Sequence, residues 1–138
     1  MDTTKLIELL NGDLELEHRS IVQYVHHIAT AKGAEFQSTI EELRAHLGQE
    51  LEHATSLAEQ IDFLGGVPSV VVPAVPPADT TRRALELDLE LERDQLERYR
   101  ERVTQTEEMG LGDVTEAIRP LLQQTQDHVR DLQGALGL

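Results

Sequence analysis

Asp13-Leu14-Glu15-Leu16-Glu17 recurs unchanged 75 residues later, as Asp88-Leu89-Glu90-Leu91-Glu92. The same offset carries Tyr24 onto Tyr99, Gln49 onto Gln124 and His53 onto His128. In the first half Glu17 is followed by Tyr24 and then by Glu50-x-x-His53. In the second, Glu92 is followed by Tyr99 and then by Thr125-x-x-His128. Glu17 to Glu50 and Glu92 to Thr125 are both separations of 33. The chain therefore reads as two copies of one helical hairpin, each bringing metal-binding residue types to one level. One carboxylate of the pattern is missing, at Thr125.

Outward from the repeat, hydrophobic periodicity predicts an all-α fold with helices at about 4–32, 35–64, 80–109 and 113–136. Leu6, Leu10, Leu14, Ile21 and Ile28 form the first stripe, and Glu17 and Tyr24 fall on it. Leu43, Leu47, Leu57 and Ile61 form the second, with Glu50 on it and His53 at its border. Leu85, Leu89, Leu96 and Tyr99 surround Glu92 in the third helix. Val114, Ile118, Leu121, Thr125, His128 and Leu132 share a face of the fourth. Gly33 and Gly65-Gly66 stop the first two helices. Asp113, with Glu116 three residues on, suggests a capping box, and Pro120 predicts a kink.

Residues 66–79 carry four prolines and cannot be helical. Extended at ~3.3 Å per residue they reach about 46 Å, close to the length of a 29-residue helix at ~1.5 Å per residue. A strap of that reach could cross the whole bundle and start helix three parallel to helix two; a simple antiparallel turn, the alternative, would not need fourteen residues. The midpoint of Glu17 and Glu50 falls at the first turn, and that of Glu92 and Thr125 beside the second. In each antiparallel pair these positions face one another.

Three glutamates and two histidines at core positions of one level need compensating positive charge, because an isolated buried carboxylate costs several kcal/mol. No lysine or arginine falls on the stripes at that level, which leaves bound cations. The candidate metal ligands are Glu17, Glu50, His53, Glu92 and His128. Glutamate and histidine three residues apart share a helical face and can address one metal pair. Tyr24 and Tyr99, the only tyrosines, sit two turns after candidate ligands. They either serve the site, by hydrogen bonding a carboxylate or supplying an electron, or fill the core. Gln49 and Gln124 either orient the histidines or lie at the surface. His46, one turn before Glu50, either extends the site or is a bystander, and His18, His26 and His27 follow no repeat.

Composition narrows the chemistry. Without cysteine there are no disulfides, zinc–thiolate sites or iron–sulfur clusters. Carboxylate and imidazole suit iron, manganese or zinc. A formal charge of −14 argues against nucleic acid or an anionic membrane as partner. The N-terminus has no basic, then apolar, signal-peptide pattern, and no run of ~20 apolar residues could span a membrane. One cytoplasmic domain is the expectation.

The chain resembles a bacterioferritin, within the ferritin-like di-iron carboxylate superfamily. The resemblance rests on Glu17 with Gln23-Tyr24, Glu50-x-x-His53, Phe63-Leu64-Gly65-Gly66-Val67-Pro68, Leu89-Glu90-Leu91-Glu92 and His128. It implies a four-helix bundle that oxidises ferrous iron with dioxygen or peroxide, in a homo-oligomer. By position it implies Glu17 and His53 on one iron, Glu92 and His128 on the other, and Glu50 bridging. Four departures stand out. Thr125 replaces the second bridging glutamate, and Gln49 and Gln124 replace aspartates. Leu51 stands where the family's haem-binding methionine would fall, which implies no haem. The chain stops ten residues after His128, short of a fifth helix. The leading reading is a two-iron ferroxidase. The alternatives are a metal-binding or structural bundle with impaired oxidation, or a peroxide-consuming relative that uses manganese or iron.

Overall fold

A computed structural model describes all 138 residues, as four long helices without strands. Helix α1 spans Thr3–Thr30, α2 Gln37–Phe63, α3 Thr81–Glu108 and α4 Gly112–Leu136. The ends differ slightly from the expected ones. Asp2 caps α1 by accepting the Lys5 amide at 2.8 Å. Gly33, at φ 115°, breaks the chain before a single 3-10 turn over Ala34–Phe36. Thr80 caps α3 through the Arg83 amide.

The expected cap at Asp113 needs correcting. Gly110 adopts φ 74° and the Leu111 amide bonds back to Thr106 O, closing α3 in a Schellman turn. Leu111 then gives its own carbonyl to the Thr115 amide, so α4 starts at Gly112 without a side-chain cap. Asp113 lies in the first turn, where its charge still complements the helix dipole. Helix α4 runs unbroken through the exposed Pro120.

Contacts between helices settle the topology. Asp13 meets Arg102, Glu17 meets Tyr99, Tyr24 meets Glu92 and His27 meets Asp88, so α1 and α3 are antiparallel. His46 meets Asp131 and His53 meets Gln124, so α2 and α4 are antiparallel too. Each hairpin turns back on itself, and α2 and α3 therefore run parallel. The connecting strap climbs α1. Asn11 bonds both Val67 O and the Ser69 amide, Glu15 accepts from Ser69 Oγ, and His18 Nδ1 lies 2.9 Å from Val71 O. At its far end the Lys32 amide donates to Thr81 Oγ1. Gly66 begins the climb where a Cβ would sit 2.6 Å from Ile7 Cγ2, too close for any side chain.

Two apolar clusters fill the bundle. One joins Leu6, Leu10, Leu14, Leu57, Ile61 and Ile118; the other joins Leu43, Leu85, Leu89, Leu132 and Leu136. Of 37 buried residues 17 are polar or charged, so a polar layer separates the two clusters. No helix is long and apolar enough to cross a membrane.

Candidate metal centre

The polar layer contains every residue of the expected ligand set. Glu17, Glu50 and His53 place ligand atoms within 4.8 Å of one another, and so do Glu50, Glu92 and His128. Glu50 belongs to both groups. His128 Nδ1 is 3.0 Å from Glu50 Oε1 and 3.2 Å from Glu92 Oε1. His53 Nδ1 lies 3.4 Å from Glu17 Oε1 and 3.5 Å from Glu50 Oε2. All five side chains are buried.

The outer imidazole nitrogens show what the inner ones are for. His53 Nε2 is 2.7 Å from Gln124 Oε1, and His128 Nε2 bonds Gln49 Oε1. An amide oxygen only accepts, so each Nε2 carries a proton and each Nδ1 is turned toward the carboxylates. A lone pair facing an anion is repulsive unless a proton or a cation lies between. His53 Nδ1 and one oxygen each of Glu17, Glu50 and Glu92 have no hydrogen-bond partner. Buried orphans of this kind are rare, and hard oxygen with imidazole nitrogen suits a first-row divalent metal. The residues present fit a dinuclear centre.

Titration in the protein alone reflects crowding. Burial, then the charges of Glu17 and Glu92, pushes Glu50 well above the usual glutamate range. Burial also pushes Glu92 up, but hydrogen bonds from His128, Glu50 and Tyr24 outweigh it, and Glu92 ends below its ordinary value. Burial pulls His53 down, yet bonding to Glu17 reverses this and leaves it raised. One proton held at Glu50 relieves the anionic cluster.

The sequence repeat extends into the supporting bonds. Tyr24 donates to Glu92 Oε1 at 2.7 Å, and Tyr99 donates to Glu17 Oε1. Burial first, and then the carboxylates, hold both phenols well above their normal pKa, so both remain donors. Each glutamine supports the histidine of the other hairpin. Gln49 and Gln124 are thus placed by the site, although their half exposure follows from being on its rim.

Two features escaped the sequence reading. Asp13 and Asp88, which open the repeated pentapeptide, are both buried. Asp13 accepts from Arg98 at 2.6 Å and from Arg102 at 2.8 Å; Asp88 accepts from Gln23 and lies 2.8 Å from His27 Nδ1. Arg98 and Arg102 stand 75 residues after Gln23 and His27. The repeated offset was therefore a usable signal for His27, which was left unassigned. Arg102 is buried on the α3 stripe ten residues beyond Glu92, away from the level of the ligands, and Asp13 pairs with its charge. The second is the set of partners of His46, a residue the sequence placed only one turn before Glu50. His46 stacks on His128 with ring centroids 4.0 Å apart, lies 3.3 Å from the Tyr24 hydroxyl, and reaches the half-exposed Asp131 at 3.0 Å. Burial, then nearby His128, holds its pKa below the ordinary imidazole value.

Thr125 is buried and donates to Leu121 O at 2.7 Å. Its hydroxyl proton serves its own helix, so no second carboxylate bridge exists. A cleft of about 530 Å³, lined by Glu42, His46, Gln49, Asp127, His128, Arg130 and Asp131, opens beside these histidines.

Helical hairpins related by a repeat, with two carboxylate–imidazole groups sharing one glutamate, define a four-helix bundle with a candidate dimetal-carboxylate site. The chain belongs to the ferritin-like family: the Ferritin-like domain matches residues 7–138. Comparison with curated proteins finds no match. Among solved structures, the fold is similar to a ferritin-like diiron-carboxylate protein from Bacillus anthracis. Identity is 29%, each chain is covered to 99%, and the TM-score is 0.93. It is also similar to the bacterioferritin-related protein of Bacteroides fragilis, described as a dodecameric thioferritin. That match has 26% identity, covers 99% of this chain and 87% of the other, and has a TM-score of 0.90. Rhodobacter capsulatus bacterioferritin, described with a metal-free dinuclear site and haem iron, shares 28% identity. It covers 99% of this chain and 86% of its own, at a TM-score of 0.87.

Proposed function

We propose that the protein binds two iron ions and oxidises ferrous iron with dioxygen or peroxide. The observation that carries this reading is Glu50, common to two buried three-residue ligand groups. Glu17 and His53 would hold one metal, Glu92 and His128 the other, and Glu50 would bridge. Bound iron supplies the electrons, one for each ferrous ion oxidised. The chain's part is to exclude water, fix both Nδ1 lone pairs through Gln49 and Gln124, and keep Glu17 and Glu92 oriented through the tyrosines. Glu42, Asp127 and Asp131, set against the single cation Arg130, leave the cleft beside His46 net acidic and an approach for a cation. Oxygen uptake on adding ferrous iron to metal-free protein tests the proposal. Uptake with a fixed iron stoichiometry, lost in Glu50→Ala, is expected; the same uptake in both proteins would refute it.

Thr125 favours a second reading, a metal-binding bundle with impaired oxidation, because only three glutamates face two divalent ions. Tight metal binding without oxygen uptake would select it. Manganese in place of iron, with peroxide as oxidant, is the further alternative that the residue types allow. Haem is not expected in either case, since Leu51 offers no sulfur ligand.

Assembly into a homo-oligomer is part of the proposal. Val22 and Val25 on α1 and Val70, Val71 and Val72 on the strap are exposed apolar residues, and a relative is described as dodecameric. Light scattering should give a mass several times the 15.5 kDa chain; a monomer at micromolar concentration would rule this out.

A further inference from the structure

Ser20 and Gln95 are buried side chains that make no hydrogen bond through any of their polar atoms. Ser20 is 0% exposed and Gln95 1%, and Ser20 Oγ, Gln95 Nε2 and Gln95 Oε1 all lack a partner. They are also repeat equivalents, 75 residues apart. The register of α1 against α3 places them opposite one another. Glu17 faces Tyr99 and Tyr24 faces Glu92, in an antiparallel pair. Ser20, between Glu17 and Tyr24, must therefore face Gln95, between Glu92 and Tyr99. That is the mid-level of the ligand set, since Glu17 and Glu92 bound the centre from either side. The histidines and their glutamines approach from α2 and α4, so Ser20 and Gln95 lie on the opposite face.

A primary amide with neither its oxygen nor its nitrogen bonded, facing an unbonded hydroxyl, requires a third party that both donates and accepts. Water and hydroxide have this capacity and would bridge two side chains that make no hydrogen bond to each other. An oxygen donor is also what the ligand set lacks. Three glutamates leave one positive charge of two divalent ions unmatched, and the Thr125 hydroxyl is engaged with Leu121 O. We propose that Ser20 and Gln95 form a binding site for a solvent oxygen, water or hydroxide, on the α1–α3 face of the dimetal centre, where it supplies the donor that Thr125 does not. This rests on the dimetal reading above.

Two measurements test it. The first is a crystal structure of the parent protein, metal-free and loaded with Co(II), at a resolution that shows water. An ordered oxygen within hydrogen-bond distance of both Ser20 Oγ and the Gln95 amide is expected. Direct bonding of the two side chains to each other, or to other protein groups, would overturn the proposal. The second is Co(II) titration followed by the visible d–d spectrum. In Ser20→Ala/Gln95→Leu the spectrum should change and affinity for the second ion should fall at least about tenfold. In Gln95→Glu, which places a carboxylate where charge is short, that affinity should rise by a similar factor. Spectra and affinities equal to the parent's in both variants would overturn the solvent site while leaving the dimetal reading intact. No Co(II) binding by the parent would overturn both.

Discussion

Thr125 is the residue at which this chain departs most from its own repeat. Glu50 on α2 belongs to both candidate ligand groups; its counterpart on α4 turns its hydroxyl back to Leu121 O at 2.7 Å. A unit charge 4 Å from a metal is worth ~4 kcal/mol at an effective dielectric of ~20, and the desolvation of a new carboxylate offsets part of that. Thr125→Glu should still tighten the second metal by at least about tenfold, ~1.4 kcal/mol, and raise the rate of ferrous oxidation. Isothermal titration with Co(II) or Zn(II) checks the affinity and stopped-flow absorbance the rate. Unchanged affinity would mean that position 125 does not face the metals.

At the scale of the helix, α1 and α3 are held by two versions of one bond set. Asp88 sits between neutral Gln23 and titratable His27, whereas Asp13 sits between two permanent cations. Burial pushes Asp13 up despite both arginines, a sign that desolvation dominates there. Removing one partner of a buried pair typically costs ~3–5 kcal/mol, while replacing both with apolar groups is often neutral. Arg98 keeps one contact in place, so Arg102→Met should cost about 3 kcal/mol in urea unfolding. Asp13→Leu/Arg102→Met should recover most of that loss. If the double variant is less stable than the single, the pair contributes net stability and the argument fails. Elsewhere the helices were readable from spacing alone. The start of α4 was not, because the Schellman turn at Gly110 and Leu111 outcompeted the acidic cap.

For the whole molecule, the buried carboxylates make stability depend on both pH and metal. Glu50 is raised well above 4.5 in the folded protein. The folded state thus holds its proton more tightly, and this contribution is complete below the unfolded value and lost as pH rises through the folded one. His53, raised from 6.5, acts in the same direction. Glu92, lowered, acts oppositely: its contribution is present above 4.5 and lost as pH falls. The metal-free parent should therefore lose melting temperature, relative to Glu50→Gln, as pH is raised from about 5 to 8; parallel curves would contradict the assignment. Metal requires Glu50 deprotonated, so its binding should release protons and strengthen with pH. At 100-fold excess over Kd a metal adds ~2.7 kcal/mol, and scanning calorimetry with and without chelator should show the gain at pH 8 and not in Glu50→Ala.

The repeat of 75 residues determined by itself that Glu17, Glu50, His53, Glu92 and His128 would meet. Residues at equal distances from a hairpin turn must come level, and charged groups on an apolar stripe must come together or be unsatisfied. The four prolines and the length of 66–79 favoured the crossover, since a chain that cannot coil must run extended, and the contacts between helices decided it. Only the tertiary structure decided where the supporting bonds go. The partners of Asp13, His27, Gln49 and His46 lie on helices far away in sequence, and which neighbour wins a side chain depends on inter-helix register within an ångström. Ser20 and Gln95 belong with these. Neither has a chemistry that periodicity singles out, and they become conspicuous only when α1 and α3 pack and leave their polar atoms buried without a partner.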